Sequence, residues 1–150
     1  MEASKDLFLF KGKIFTAIYT ITVIEDGNEF VQDNTLLFEC SDGTFLQILV
    51  DHILESHELL TLDKIVIKGD YEMQNCKIIT NVFKNLPGVA VDRIYNYFQG
   101  KYYHFGSKFI DPDGQYIFGI CYGFDELVLL DEMDFKDMLS KYQGCQMMSL

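Results

Sequence analysis

From Lys13 to Ile24 (KIFTAIYTITVI), Phe15, Ala17, Tyr19, Ile21 and Val23 fall at every second position, with Thr16, Thr20 and Thr22 between them. A period of two marks a strand, because successive side chains leave a pleated backbone on opposite faces. The pattern predicts one long strand with a buried and a wetter face. Glu25-Asp26-Gly27-Asn28 then reads as a turn whose loop reaches Asn34.

Thr35 to Asp51 (TLLFECSDGTFLQILVD) carries two apolar, β-favouring runs around Ser41-Asp42-Gly43-Thr44. Asp-Gly between such runs is a strong hairpin signal, because glycine accepts the positive φ of a tight turn. The arms are apolar on both faces except at Glu39 and Gln47, which predicts a strand pair inside a sheet. His52 to Leu62 mixes Ile53, Leu54, Leu59 and Leu60 with His52, Glu55, His57 and Glu58, and reads as a short helix or a loop.

Two short strands are expected at 64–68 and 77–80, with Gly69-Asp70 and Gln74-Asn75 as turn residues and Pro87-Gly88 as a break. Further along, Asp111-Pro112-Asp113-Gly114 joins strands at 101–110 and 115–122, and Glu126–Leu130 supplies another. Phe135, Met138, Leu139 and Tyr142 stand at i, i+3, i+4 and i+7, with Asp134 as the expected N-cap and Gly144 as the stop. That spacing predicts an amphipathic C-terminal helix packed on the sheet.

The second half echoes the first. Ile18-Tyr19 reappears as Ile94-Tyr95, 76 residues on, and Phe38 before Asp42-Gly43 reappears as Phe109 before Asp113-Gly114, 71 residues on, with Ile48 and Ile120 following. Two β-meander halves would produce this, and so would two unrelated hairpins sharing their turn chemistry. The elements together predict a single α+β domain over residues 1–150, a mostly antiparallel sheet in two meander halves with a C-terminal helix.

Composition narrows the class. With 49% apolar and 15% aromatic residues in 150, the chain has material for a packed core and is not globally disordered. No apolar run approaches the roughly 18 residues of a membrane span. MEASKDLFLFKGK lacks the plan of a signal peptide, so a cytoplasmic protein is expected. Cys40, Cys76, Cys121 and Cys145 lie far apart without a CxxC, as buried free thiols do.

Charge is segregated as well as negative, at −11 overall. Glu25 to Asp63 holds ten acidic residues and no Lys or Arg, Lys64 to Lys108 holds seven basic against three acidic, and the remainder eight acidic against two basic. Such a surface repels nucleic-acid phosphate and anionic membrane, and attracts basic partners over roughly 8 Å in physiological salt. A solvated face that only confers solubility accounts for the same counts.

Catalytic and metal signatures are weak. His57-Glu58-Leu59-Leu60-Thr61 lacks the second histidine of HExxH, and the spacing of His52 and His57 does not stack on one helix face. There is no GxSxG, which leaves Cys121 with His104 as a conceivable thiol–base pair. The carboxylate pairs Asp111 with Asp113, Asp125 with Glu126, and Asp131 with Glu132 and Asp134 fit turns and a helix N-terminus, and no phosphate loop is present. No cofactor is implied. Tyr95 to Phe105 is the densest aromatic run, suited to a core with tyrosines at a rim or to a protein interface.

These features point to a binding protein whose acidic face docks on and blocks a basic protein partner, without direct contact to nucleic acid. Candidate contacts are Glu39, Asp42, Asp51, Glu55, Glu58, Tyr95, Tyr97, Tyr102, Tyr103, Asp125 and Glu126. In class and composition the chain resembles the immunity proteins that neutralise bacterial toxins, many of them nucleases. The resemblance implies an antitoxin-type inhibitor and transfers no residue. Alternatives are a phage-type inhibitor that imitates nucleic-acid charge, and a small-ligand module or enzyme with a pocket between sheet and helix.

Overall fold

A computed structural model describes residues 5–51, 54–65, 76–81, 88–99, 103–123, 125–142 and 144–149. The strand expected at 64–68 lies largely outside these residues, as do the turns at Gly69-Asp70 and Gln74-Asn75 and position Pro87. Among the described residues, ten strands form two antiparallel five-stranded sheets. In sheet one, β1 (Phe15–Glu25), β2 (Asn28–Cys40), β3 (Phe45–Asp51) and β4 (Leu54–Leu60) make a meander, and β5 (Cys76–Asn81) returns beside β1. In sheet two, β6 (Arg93–Gln99), β7 (Tyr103–Ile110), β8 (Tyr116–Gly123) and β9 (Glu126–Leu130) do the same, and β10 (Cys145–Ser149) returns beside β6. Helix α1 (Glu132–Ser140) connects β9 to β10. The fold is α+β and mostly antiparallel, as expected.

The sheets pack face to face through aromatic rings. Phe15 and Phe38 of sheet one meet Phe109 and Phe118 of sheet two, all fully buried. The Phe38 and Phe118 rings stack at 4.7 Å and those of Phe109 and Phe118 at 4.3 Å. Each ring adds a large buried apolar area, and stacked pairs are worth about 0.5–1.5 kcal/mol beyond that area.

Four local expectations are corrected. The alternation of β1 breaks between Phe15 and Ala17, where one extra residue shifts its register against β2, whereas a second shift between Tyr19 and Ile21 leaves those two on one face. A bulge adds a residue and reverses the facing of the strand beyond it. Phe15 and Ile18 therefore enter the core between the sheets, while Tyr19 and Ile21 join Leu37, Phe45 and Ile65 on the outer face. The loop expected up to Asn34 is strand from Asn28 onward, because Asp26 and Gly27 both take positive φ (50° and 78°) and close a two-residue hairpin.

His52 to Leu62 contains no α-helix among its described residues, and only Leu62 opens a short 3-10 turn that ends at Lys64. It supplies β4, where pairing with β3 turns His57 and Leu59 inward opposite Ile48 and Leu46, and Ser56 and Glu58 outward. Ladder pairing overrides the ambiguous local pattern. The N-cap of α1 is Asp131, whose Oδ1 accepts a bond from the Asp134 N–H at 2.8 Å, while Asp134 lies in the first turn. Asp131→Ala should cost about 1 kcal/mol. A urea midpoint equal to wild type would remove that cap from the account.

The two halves share more than strand order. Cys40 and Asp111 close the same five-residue loop: Gly43 N–H bonds Cys40 C=O and Gly114 N–H bonds Asp111 C=O, each at 3.0 Å. Cys40 N–H likewise bonds Thr44 C=O at 2.8 Å, and Asp111 N–H bonds Gln115 C=O at 2.9 Å. Ile18 pairs with Phe38 as Ile94 pairs with Phe109. Ile14 and Ala90, 76 positions apart, bridge to each other, and around them Val91 N–H bonds Lys13 C=O as Phe15 N–H bonds Val89 C=O. The halves are thus related by a pseudo-two-fold axis at this bridge.

Candidate functional site

The acidic stretch folds into β2, β3 and β4, adjacent strands of sheet one. Because Leu46, Ile48 and Val50 face the core, the intervening positions of β3 and their neighbours face outward. Glu39, Gln47, Leu49, Asp51, Ser56 and Glu58 therefore share the outer face. Glu39 is held in place, its Oε2 accepting from the Tyr19 hydroxyl at 2.6 Å. That bond raises the pKa of Tyr19, with burial adding to it.

Glu58 is exposed and pairs across the ladder with Gln47, which is 4% exposed. Gln47, Leu49, Ser56 and Glu58 are the described residues that line a depression of about 130 Å³. At the adjoining hairpin, Asp42 accepts bonds from Thr44 N–H at 3.0 Å and from its hydroxyl, and is ion-paired with Lys13. These partners hold its carboxyl well below the usual range, Lys13 foremost. Glu55 pairs with Val50 in the ladder, three positions from Glu58, so the two have opposite parity along β4.

The tyrosine candidates stand elsewhere. Tyr95 and Tyr97 belong to the outer face of sheet two, on the opposite side of the sandwich from Glu39 and Glu58. Tyr97 is 7% exposed, with its ring 5.3 Å from that of Phe135 in α1, so it is a core residue and not a projecting anchor. Tyr95 is half-buried, with Lys108 Nζ 5.1 Å from its ring centre and Arg93 donating to its hydroxyl at 3.1 Å. Tyr103 pairs with Gln99, and Tyr102 lies outside the described residues. Asp125, at φ 57°, lies in the turn between β8 and β9, and the exposed Glu126 opens β9 opposite Gly123. The acidic residues of sheet one and the tyrosines of sheet two therefore do not share one surface.

A second polar feature runs through the core. β7 carries an extra residue at Phe105, between Tyr97↔Gly106 and Phe98↔His104, which turns His104 to the inner face and Phe105 to the helix side. His104 Nε2 lies 3.3 Å from Ser107 Oγ, Ser107 Oγ 3.2 Å from the Tyr122 hydroxyl, and that hydroxyl 3.2 Å from His57 Nε2. The chain of four links both sheets. His57 is fully buried, and its Nδ1 has no hydrogen-bond partner. Burial, with repulsion from His104 second, pushes its pKa down to about 3.

This arrangement is closed to substrates, since Ser107 and His57 are both fully buried. Cys121 opposes Gly106 in the ladder and so faces the helix side, away from His104, and burial raises its thiol pKa. The Cys121 and His104 pair does not form. Cys40, Cys121 and Cys145 are free thiols. Among the described residues, no group of three or more His, Cys, Asp and Glu is placed to hold a metal ion, and no helix is long and apolar enough to cross a membrane.

Sequence reasoning missed Gln47, Leu49 and Ser56, whose common face depends on β4 being a strand. The alternation Ser56, Glu58 against His57, Leu59 was the available signal. Compared with known proteins, the chain matches no family model, no curated protein and no solved structure.

Proposed function

We propose that this chain is a cytoplasmic binding protein that acts without catalysis, docking the acidic outer face of sheet one on a basic protein partner and blocking it in the manner of an immunity or antitoxin-type inhibitor. The observation that carries this reading is the face itself. β1 to β4 contain no Lys or Arg, while Glu39, Asp51 and Glu58 share their outer side and Asp42 stands at its end. A preponderance of one sign of charge on the strands of a hydrogen-bonded sheet gives a negative potential that steers a basic surface into contact. A depression of about 130 Å³ also falls short of the roughly 300–1,000 Å³ typical of small-molecule sites.

The test is capture from lysate of the source organism with this chain as bait, followed by kinetics with the retained protein. A basic partner is expected, inhibited by the chain, with an association rate that falls at least tenfold between low and physiological salt. Glu58→Lys and Asp51→Lys should slow association further while leaving thermal stability within a degree or two. Association indifferent to salt and to both reversals would remove the acidic face from the mechanism.

A further inference from the structure

The pseudo-two-fold axis allows each position of sheet one to be compared with its counterpart in sheet two. Leu37, Gln47 and Glu58 stand side by side across β2, β3 and β4 as Lys108, Gly119 and Leu130 do across β7, β8 and β9. Thr35, Leu49 and Ser56 match Gly106, Cys121 and Val128 in the same way. The depression on sheet one therefore occupies the place where α1 docks on sheet two.

There the site is filled from within the chain. Phe135 of α1 is 1% exposed and lies directly over Gly119, its ring carbons 2.3 and 2.8 Å from where a Cβ would stand. Leu130, Tyr97 and Phe105 surround it. On sheet one, Ile65 covers the neighbouring part of the outer face, over Ile21, Leu37 and Phe45, and beside it the depression is lined, among the described residues, by Gln47, Leu49, Ser56 and Glu58, of which Ser56 and Glu58 are exposed. The chemistry of the two sites also differs: Gly119 and Leu130 are replaced by Gln47 and Glu58.

We infer that this depression is a socket for one lysine or arginine side chain of the basic partner, entered from outside as Phe135 enters its counterpart from within. The inference rests on the proposed docking of the acidic face and assigns its contact point. Leu49 offers an apolar wall for a methylene stem, and Glu58 a carboxylate at the rim for the charged head. The depression, of about 130 Å³, is of a size for one side chain rather than for a drug-sized ligand, whose sites run to roughly 300–1,000 Å³.

The test uses the full chain and three blocked peptides, acetyl-Gly-Lys-Gly-amide, acetyl-Gly-Arg-Gly-amide and acetyl-Gly-norleucine-Gly-amide, titrated while amide NMR shifts are followed. The lysine and arginine peptides should shift Gln47, Leu49, Ser56 and Glu58 saturably, and norleucine should bind at least tenfold more weakly. Glu58→Lys should weaken the cationic peptides at least tenfold, and Ser56→Tyr, which fills the depression, should abolish the effect with the remaining spectrum intact. Asp113→Asn, in the exposed hairpin of the other sheet, should leave it unchanged. Norleucine binding as well as lysine overturns the assignment of a cation. Shifts spread evenly beside Asp26, Asp113 and Glu132 overturn the socket and leave the acidic docking reading standing, whereas no shift from either cationic peptide overturns both.

Discussion

Gly119→Ala should destabilise the protein by about 2–4 kcal/mol, read as a lower urea midpoint with an unchanged slope. A Cβ at this position would stand 2.3 Å from a Phe135 ring carbon and 2.3 Å from the Tyr116 hydroxyl, far inside van der Waals contact. Neither neighbour can yield freely. Phe135 is the buried anchor of α1, and the Tyr116 hydroxyl donates to Leu130 C=O at 2.8 Å, tying β8 to the strand that leads into the helix. Lifting Phe135 out of its site would forfeit much of the burial whose full loss, as in Phe135→Ala, costs about 3–5 kcal/mol. The two effects should couple, because they concern one contact. In a Phe135→Ala background, Gly119→Ala should cost less than half its wild-type value, the remainder coming from Tyr116. Strict additivity in this cycle would show that the helix does not depend on the glycine.

This contact also marks where the sequence stops being legible. Gly119 offers no pattern of its own, and its role depends on a ring 16 positions later. What could be read was local: the Asp42-Gly43 and Asp113-Gly114 loops, the Phe135, Met138, Leu139 stripe and the apolar arms of β2 and β3 specify themselves through turn chemistry and periodicity. The echo of Ile18-Tyr19 and Phe38 in Ile94-Tyr95 and Phe109 was legible too, and the register places these residues at equivalent positions. Bulges were not. The extra residue between Phe15 and Ala17 and the one at Phe105 are set by strand pairing, and each reverses the faces of residues beyond it. Likewise β10 is a strand because β6 has an open edge, with Met147 and Met148 exposed along it. Of the candidate site, the acidic members were legible because charge needs no register to be counted. Tyr97 was misplaced because an aromatic residue in a strand does not reveal which face a later helix will cover.

Acidification between pH 7 and pH 5 should lower the unfolding free energy by about 2 kcal/mol through His57 alone. The imidazole is fully buried in the core, near Tyr122 and facing His104, with its pKa pushed down to about 3 against an ordinary value of 6.5. Below pH 6.5 the unfolded chain binds a proton at this residue, and the folded chain does not until the pH approaches 3. Throughout that window the unfolded state holds more protons, so stability falls as pH falls, by about 1.4 kcal/mol per unit at full slope. His57→Leu should leave the Tyr122 hydroxyl bonded to Ser107 at 3.2 Å and remove an Nδ1 that has no partner. At pH 7 the variant should stay within about 1–2 kcal/mol of wild type, because one hydrogen bond is lost and one unsatisfied polar atom is relieved. Its stability should then decline over pH 7 to 5 by about 2 kcal/mol less than wild type, and the two curves should converge or cross. Parallel curves would mean that His57 takes up its proton in the folded state as readily as in the unfolded one, with Tyr122 and Ser107 reorganising to receive the charge.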